Sequence, residues 1–176
     1  MNRSTGLTMI AGAGAWVLVL GTLPSVLSLR RAEYYANPQN VFWRIMGRIV
    51  GAGPELDYAD RVQRLIEAGI ALWDVCHAAH RLGSLDVAIR SETIVTNDFR
   101  RFFREHPRIG LVCLNGAKAA ALYERRVLPM LSSEMQSIER IRLPSTSPAH
   151  TRMTFEGKLS SWQRAITGGG RAGVRA

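Results

Sequence analysis

The sequence predicts an α/β protein, a three-layer α/β/α sandwich around a central, mostly parallel sheet of four strands. Three observations carry this. Residues 15–20 (AWVLVL), 70–75 (IALWDV) and 109–114 (IGLVCL) are near-continuous apolar runs of strand length, the pattern of strands covered on both faces, and 140–143 is a shorter fourth. Segments with helical apolar spacing lie between them. Strands that alternate with helices wind into parallel pairs with helices on both sides.

Taken in order, residues 1–12 read as a mobile or extended leader, 13–166 as a single domain, and 167–176 (TGGGRAGVRA) as a disordered basic tail. The first strand ends at Gly21, and a polar loop of about twenty residues follows. Phe42, Ile45, Met46, Ile49 and Val50 then recur at helical spacing until Gly51, Gly53 and Pro54 stop the helix. A helix over 58–68 turns Val62, Leu65 and Ile66 inward, and Gly69 closes it before the second strand. The pattern is weakest over 77–96, where Ser84 or Asp86 can cap a short helix reaching Arg90. Asn97 caps a helix to His106 that buries Phe99, Phe102 and Phe103, and Pro107 ends it. After the third strand, 116–127 is an Ala-rich helix. Thr154 caps the last helix, 154–166, with Phe155, Leu159, Trp162 and Ile166 on one face.

The 176 residues carry a formal charge of +9, with 21 Arg against Lys118 and Lys158 alone. Guanidinium forks suit a polyanionic partner, although a solvated Arg-rich surface has the same composition. Cys76 and Cys113 lie apart in apolar surroundings, as buried reduced thiols of a cytoplasmic protein do; two cysteines are too few for a four-thiolate iron–sulfur or zinc site. The apolar run 7–29 could pass for a signal or anchor, but Gly12, Gly14, Gly21 and Pro24 interrupt it, so no membrane association is expected. The absence of GxGxxG after the first strand and of GxxxxGK[ST] removes the main support for dinucleotide or nucleoside triphosphate binding.

Two stretches concentrate polar groups at strand ends, where open α/β sheets bind ligands: 17–43 (VLVLGTLPSVLSLRRAEYYANPQNVFW) and 143–153 (LPSTSPAHTRM). Together they resemble the paired motifs of the uracil-DNA glycosylase superfamily, and most closely its hypoxanthine-DNA (deoxyinosine) glycosylase branch, through GTLPS, YYANPQNVFW and STSPAH. The resemblance runs from about Trp16 to Trp162. It implies a monofunctional DNA repair glycosylase that flips a deaminated base, most simply hypoxanthine, and cleaves its N-glycosidic bond with water. The implied partner is DNA containing deaminated bases, bound by a monomer at the nucleoid without metal or other cofactor.

The residue assignments follow. Asn40 has two open roles on the residues alone, capping the helix that begins at Val41 or presenting a neutral amide to water or base; the resemblance makes it the catalytic residue. The resemblance also makes Phe42 a stacking face for the flipped base, against plain core packing, and Asn115 a reader of the base edge, against capping the helix from Gly116. Gly21, Leu23, Pro24 and Ser25 form the base-contacting turn, with Thr22 and Leu23 standing where many relatives carry an acid or amide. Tyr35, with Tyr34, is a candidate pocket wall, and Asn37 and Asp74 are second-tier polar candidates, Asp74 for a water or a base edge. Ser145, Thr146, Ser147, Pro148, Ala149, His150 and Arg152 are the expected DNA-binding loop. Ala149 replaces the bulky wedge of relatives, leaving His150, Arg152 or Met153 for that task. Neither lysine lies in a motif, so no Schiff-base step is expected. Other readings are uracil excision from mismatches, a non-catalytic module for damaged DNA, and an exported α/β hydrolase, the last lacking GxSxG.

Overall fold

The computed structural model describes residues 3–81, 83, 85 and 88–169. In chain order its elements are β1 (Arg3–Thr5), β2 (Val17–Gly21), α1 (Val26–Arg31), α2 (Phe42–Val50), α3 (Tyr58–Glu67), β3 (Ile70–Asp74), β4 (Cys76–His80) and β5 (Val95–Thr96). There follow α4 (Phe99–Glu105), β6 (Leu111–Asn115), α5 (Ala117–Leu122), α6 (Ser133–Gln136), β7 (Glu139–Leu143) and α7 (Phe155–Gly169).

The four predicted strands form one sheet in the order β3-β2-β6-β7, every neighbouring pair parallel. Alternation along β2 decides the layers. Leu18 and Leu20 face a cluster with Phe99, Phe102, Phe103 and Tyr123, from α4 and the chain after α5. Val17 and Val19 face the opposite cluster, with Phe42, Trp43, Leu65 and Trp162 from α2, α3 and α7. Both faces are therefore dry, which is why the first three strands read as unbroken apolar runs. In register, Gly21 lies opposite Asp74 and Asn115 opposite Leu143, so four strands end in one row.

Several details differ from the expectations. The leader is extended and paired: β1 joins β4 and β5 in a second, antiparallel sheet, and Ile10 exchanges backbone hydrogen bonds with Leu72 at 2.9 and 2.8 Å. The chain passes straight from β3 into β4, exposing edge groups that need partners, and the short polar Arg3–Thr5 segment carries no period-two signal. The long loop after β2 contains α1, capped by Ser25, whose hydroxyl accepts from Ser28 N–H at 3.1 Å. Asp98, not Asn97, caps α4; Asn97 instead donates its amide to the Asp74 carbonyl at 2.8 Å. The Ala-rich helix loosens after Leu122 into a π turn, and α6 precedes the fourth strand. Helix α7 continues three residues into the expected tail; the rest of that tail and the Ser84 and Asp86 caps lie outside the described residues.

Cys76 and Cys113 are free and buried, and burial, with a smaller contribution from Glu139, pushes the Cys113 thiol up to about 12. Among the described residues no helix is long and apolar enough to cross a membrane, and no group of His, Cys, Asp and Glu is placed to hold a metal.

Candidate active site

A cleft of about 360 Å³ opens at the carboxyl ends of the parallel strands. Its lining takes in every site residue expected from the sequence except Phe42, Arg152 and Met153. The structure brings Gly21, Leu23, Pro24, Ser25, Tyr35, Asn37 and Asn40 onto one wall. Asp74 and Asn115 stand at the strand ends, and residues 145–150 form the facing wall.

Gly21 is required by crowding. A Cβ there would meet Oδ1 of Asp74 and come within 3.2 Å of the Tyr35 hydroxyl, so the close approach that glycine permits is by protein groups. The turn beyond it is tied down from behind. The Gly21 and Thr22 carbonyls accept from Val75 and Cys76 at 2.9 and 3.0 Å. The guanidinium of Arg81, itself buried, donates to the carbonyls of Leu23 and Pro24.

The aromatic facing the cleft is Tyr35. Phe42, expected as the stacking face, has no exposed surface and is absent from the lining. Tyr35 covers it, rings stacked at 4.1 Å, while Trp43 and Trp162 meet it edge-on. Tyr35 reaches this place with a left-handed backbone, φ 53°, which is costly for a residue with a Cβ and is sustained by the contacts around it. Tyr34 turns the other way: its hydroxyl donates to Leu7 O at 3.3 Å and its carbonyl accepts from the Trp43 indole at 2.9 Å. Burial first, then the charge of Asp74, holds that hydroxyl protonated well beyond its ordinary range.

Asn40 supports the helix start and lines the cleft. Its Oδ1 accepts from Phe42 N–H at 3.0 Å, supporting the start of α2, and its own N–H donates to Asn37 O at 2.8 Å. An N–H at the helix start demands the oxygen, so the amide hydrogens of Asn40 are the groups left for the cleft. Asn37 spends its Oδ1 on Gln39 N–H at 2.9 Å.

Asn115 lines the cleft and does not cap α5. Its Nδ2 donates to the Tyr35 hydroxyl and to Thr146 Oγ1, both at 2.9 Å, and its Oδ1 accepts from Thr146 N–H at 2.9 Å. The side chain is a clasp that fastens the second wall to β6 and to Tyr35. Thr146, wholly buried, completes the link by accepting from Val41 N–H at 3.1 Å, next to Asn40. The same wall hangs on α7: Trp162 Nε1 donates to Pro144 O at 3.0 Å and Lys158 Nζ to His150 O at 2.8 Å. Burial lowers the Lys158 amine below its ordinary range. Gly116, at φ 96°, has no room for a Cβ, because Ser145 Cβ lies 2.9 Å from its position.

Four residues that the sequence reading passed over belong here. Ser28, Leu85 and Lys118 line the cleft, and Arg81 braces its turn. Lys118 was findable, since it sits three residues past a strand end on the cleft side of the sheet. Arg81 and Leu85 fall where the sequence pattern is weakest. Leu85 is 57% exposed at the cleft, which no sequence period signals.

No family model matches the chain. A hypoxanthine DNA glycosylase of Methanosarcina acetivorans is 38% identical to it over 84% of this chain and 87% of that protein. One from Methanosarcina barkeri is 33% identical over 93% of this chain and 98% of its own. Among solved structures, a solution NMR structure from Methanosarcina acetivorans, provisionally assigned as a uracil DNA glycosylase, matches with a TM-score of 0.77 and 34% identity, covering 94% of this chain and 97% of its own.

Proposed function

Because the chain belongs to the hypoxanthine-DNA glycosylase family of the uracil-DNA glycosylase superfamily, we propose that it excises hypoxanthine from DNA, hydrolysing the N-glycosidic bond of deoxyinosine and leaving an abasic site. The observation that carries this is Asn40, with its carbonyl spent on the start of α2 and its amide hydrogens left for the cleft.

Breaking the bond places positive charge on the sugar and negative charge on the departing base. A fixed amide donor meets the developing negative charge without reorganising, and being neutral it leaves the sugar cation unopposed. The base lies against Tyr35, whose ring is backed by Phe42. On the opposite wall the hydroxyls of Ser145 and Ser147, which only accept within the loop, donate to the flanking phosphates, and the pinning of the loop to β6 and α7 fixes where the strand lies. The exposed Leu85 serves as the apolar plug for the gap the base leaves, the task that Ala149 is too small to perform. Water is the nucleophile, so the product is an intact strand with an abasic site. Such a substrate places the protein with chromosomal DNA in the cytoplasm, and one chain suffices because one chain supplies both walls.

Labelled duplexes carrying one hypoxanthine or one uracil, incubated with protein and then alkali, test this. Strand breaks at hypoxanthine after alkali are expected. Breaks without alkali would overturn the water mechanism, breaks at uracil alone would change the substrate, and intact strands with tight binding would leave a recognition module.

A further inference from the structure

Hypoxanthine carries a hydrogen on N1 where adenine carries a lone pair. A pure acceptor held against N1 therefore favours the first base and repels the second. If the cleft takes hypoxanthine, as proposed above, its deep end must offer that acceptor, because a flipped base enters pairing edge first while its sugar stays tied to the strand outside.

The buried polar side chains on the lining are Thr22, Ser28, Asp74, Asn115 and Thr146. Three are committed elsewhere. Ser28 Oγ accepts from Ala36 N–H at 3.2 Å and pairs with the Ser25 hydroxyl at 3.0 Å. Asn115 spends both Nδ2 hydrogens on Tyr35 and Thr146 and one lone pair of Oδ1 on Thr146 N–H, so it offers the cleft one neutral lone pair at most, and Thr146 is held by it on both sides. Thr22 ends in a hydroxyl that donates as readily as it accepts, so it cannot tell N1–H from N1.

Asp74 differs in kind. A carboxylate only accepts, and its roughly four lone-pair sites leave capacity beyond any neighbour that holds one. It is 4% exposed, at the last position of β3, in register with Gly21. Its carbonyl is anchored by Asn97 at 2.8 Å. Its Oδ1 lies against the face of Gly21 that a side chain would fill, beside the Tyr35 hydroxyl. Asn40, on the same lining, is half-buried and so more open to solvent than Asp74, which suits the glycosidic bond and the attacking water.

From this arrangement we infer that Asp74 is the specificity residue of the cleft, its carboxylate accepting the N1–H of hypoxanthine and turning adenine away. Turnover of ordinary adenine is thereby prevented at the deepest contact, with no demand on Asn40.

The test is single-turnover excision of hypoxanthine and of unsubstituted purine, which lacks N1–H, from the same duplex by wild type, Asp74→Asn and Asp74→Ala. Asp74→Ala should lose about 10²-fold on hypoxanthine and less than about threefold on purine, while Asp74→Asn, whose amide keeps one acceptor oxygen, should lose less on hypoxanthine than Asp74→Ala. An equal loss on both bases, as a water-holding or structural carboxylate would give, overturns the assignment. A second arm uses 1-methylhypoxanthine, whose methyl replaces the hydrogen in question. Asp74→Ala should excise it faster than wild type, a gain no damaged fold can produce, and absence of that gain also counts against Asp74. Wild type that leaves hypoxanthine untouched would instead sink the functional reading itself, whatever the variants do.

Discussion

The walls at Gly21–Asn40 and Pro144–His150 face each other across one cleft, yet they are held by different kinds of bond. The first is closed largely by near neighbours in sequence: Ser25 with Ser28, Ser28 with Ala36, Asn37 with Gln39, and Asn40 with Phe42. Besides short Ser turns of its own, the second is held by Asn115, 31 residues from Thr146, by Val41, by Lys158, and by Trp162, 18 residues from Pro144. From Ser25 to Phe42 wall one keeps these short bonds when a remote residue changes, although Arg81, Val75 and Cys76 brace its first turn from a distance; wall two has far less local support. The division suits the chemistry, since the group assigned to the departing base sits among the short bonds, and the loop assigned to the strand sits on the wall that the rest of the molecule positions.

The largest expected effect separates catalysis from this scaffolding. Asn40→Ala should lower single-turnover excision by about 10²- to 10³-fold, or about 3–4 kcal/mol in activation. Thermal unfolding should register only about 1 kcal/mol for the lost helix support. If activity fell no further than stability, Asn40 would be a cap and nothing more.

Next comes the clasp. Asn115→Ala removes three hydrogen bonds and leaves buried Thr146 groups without partners, at a cost of about 3 kcal/mol in denaturant unfolding. Amide exchange should accelerate at Thr146 and hardly change at Ala36. Equal acceleration on both sides would erase the distinction between the walls.

Alkali should pull the walls in opposite directions. Tyr34 is held protonated in the fold, so its contribution is present below the ordinary tyrosine range and is lost as pH rises above about 10, with a slope near 1.4 kcal/mol per pH unit. Lys158 has a lowered value, so the unfolded chain binds its proton more tightly, and stability rises with pH between the lowered and the ordinary lysine value. Urea unfolding from pH 8 to 11 should therefore show a shallower alkaline loss for Tyr34→Phe and a steeper one for Lys158→Met. The same slope for both variants would mean that neither burial is felt.

What the sequence revealed follows the same division. The strands were legible because both faces of the sheet are dry, and Asn40 was legible because an Asn before a helical run announces local bonds. Phe42 was misplaced because it and Tyr35 stack as one unit, and the left-handed backbone that turns Tyr35 outward has no residue-type signature outside Gly and Asn. The clasp made by Asn115 has no local signal because its partner is 31 residues away, on another strand end. Arg81 and Lys158 were invisible as site residues for the same reason, as each acts on a main-chain carbonyl that no motif records. The pairing of the leader has no sequence signal because three polar residues gain strand structure only from the edge they join.

The smallest expected effect is also the sharpest check on wall one. Ser25→Ala deletes the cap of α1 and should cost about 1 kcal/mol in unfolding. Ser28 would keep its acceptance from Ala36 N–H, and Arg81 would still hold the Leu23 and Pro24 carbonyls. Excision should therefore change by less than about threefold, because the lost bond lies within a wall closed by several others of similar strength. Amide exchange should rise within α1 and stop there, leaving Thr146 at its wild-type rate. A loss of activity as large as that of Asn40→Ala would show instead that the short bonds of this wall act as one unit, and that the amide of Asn40 depends on a chain of supports beginning at Ser25.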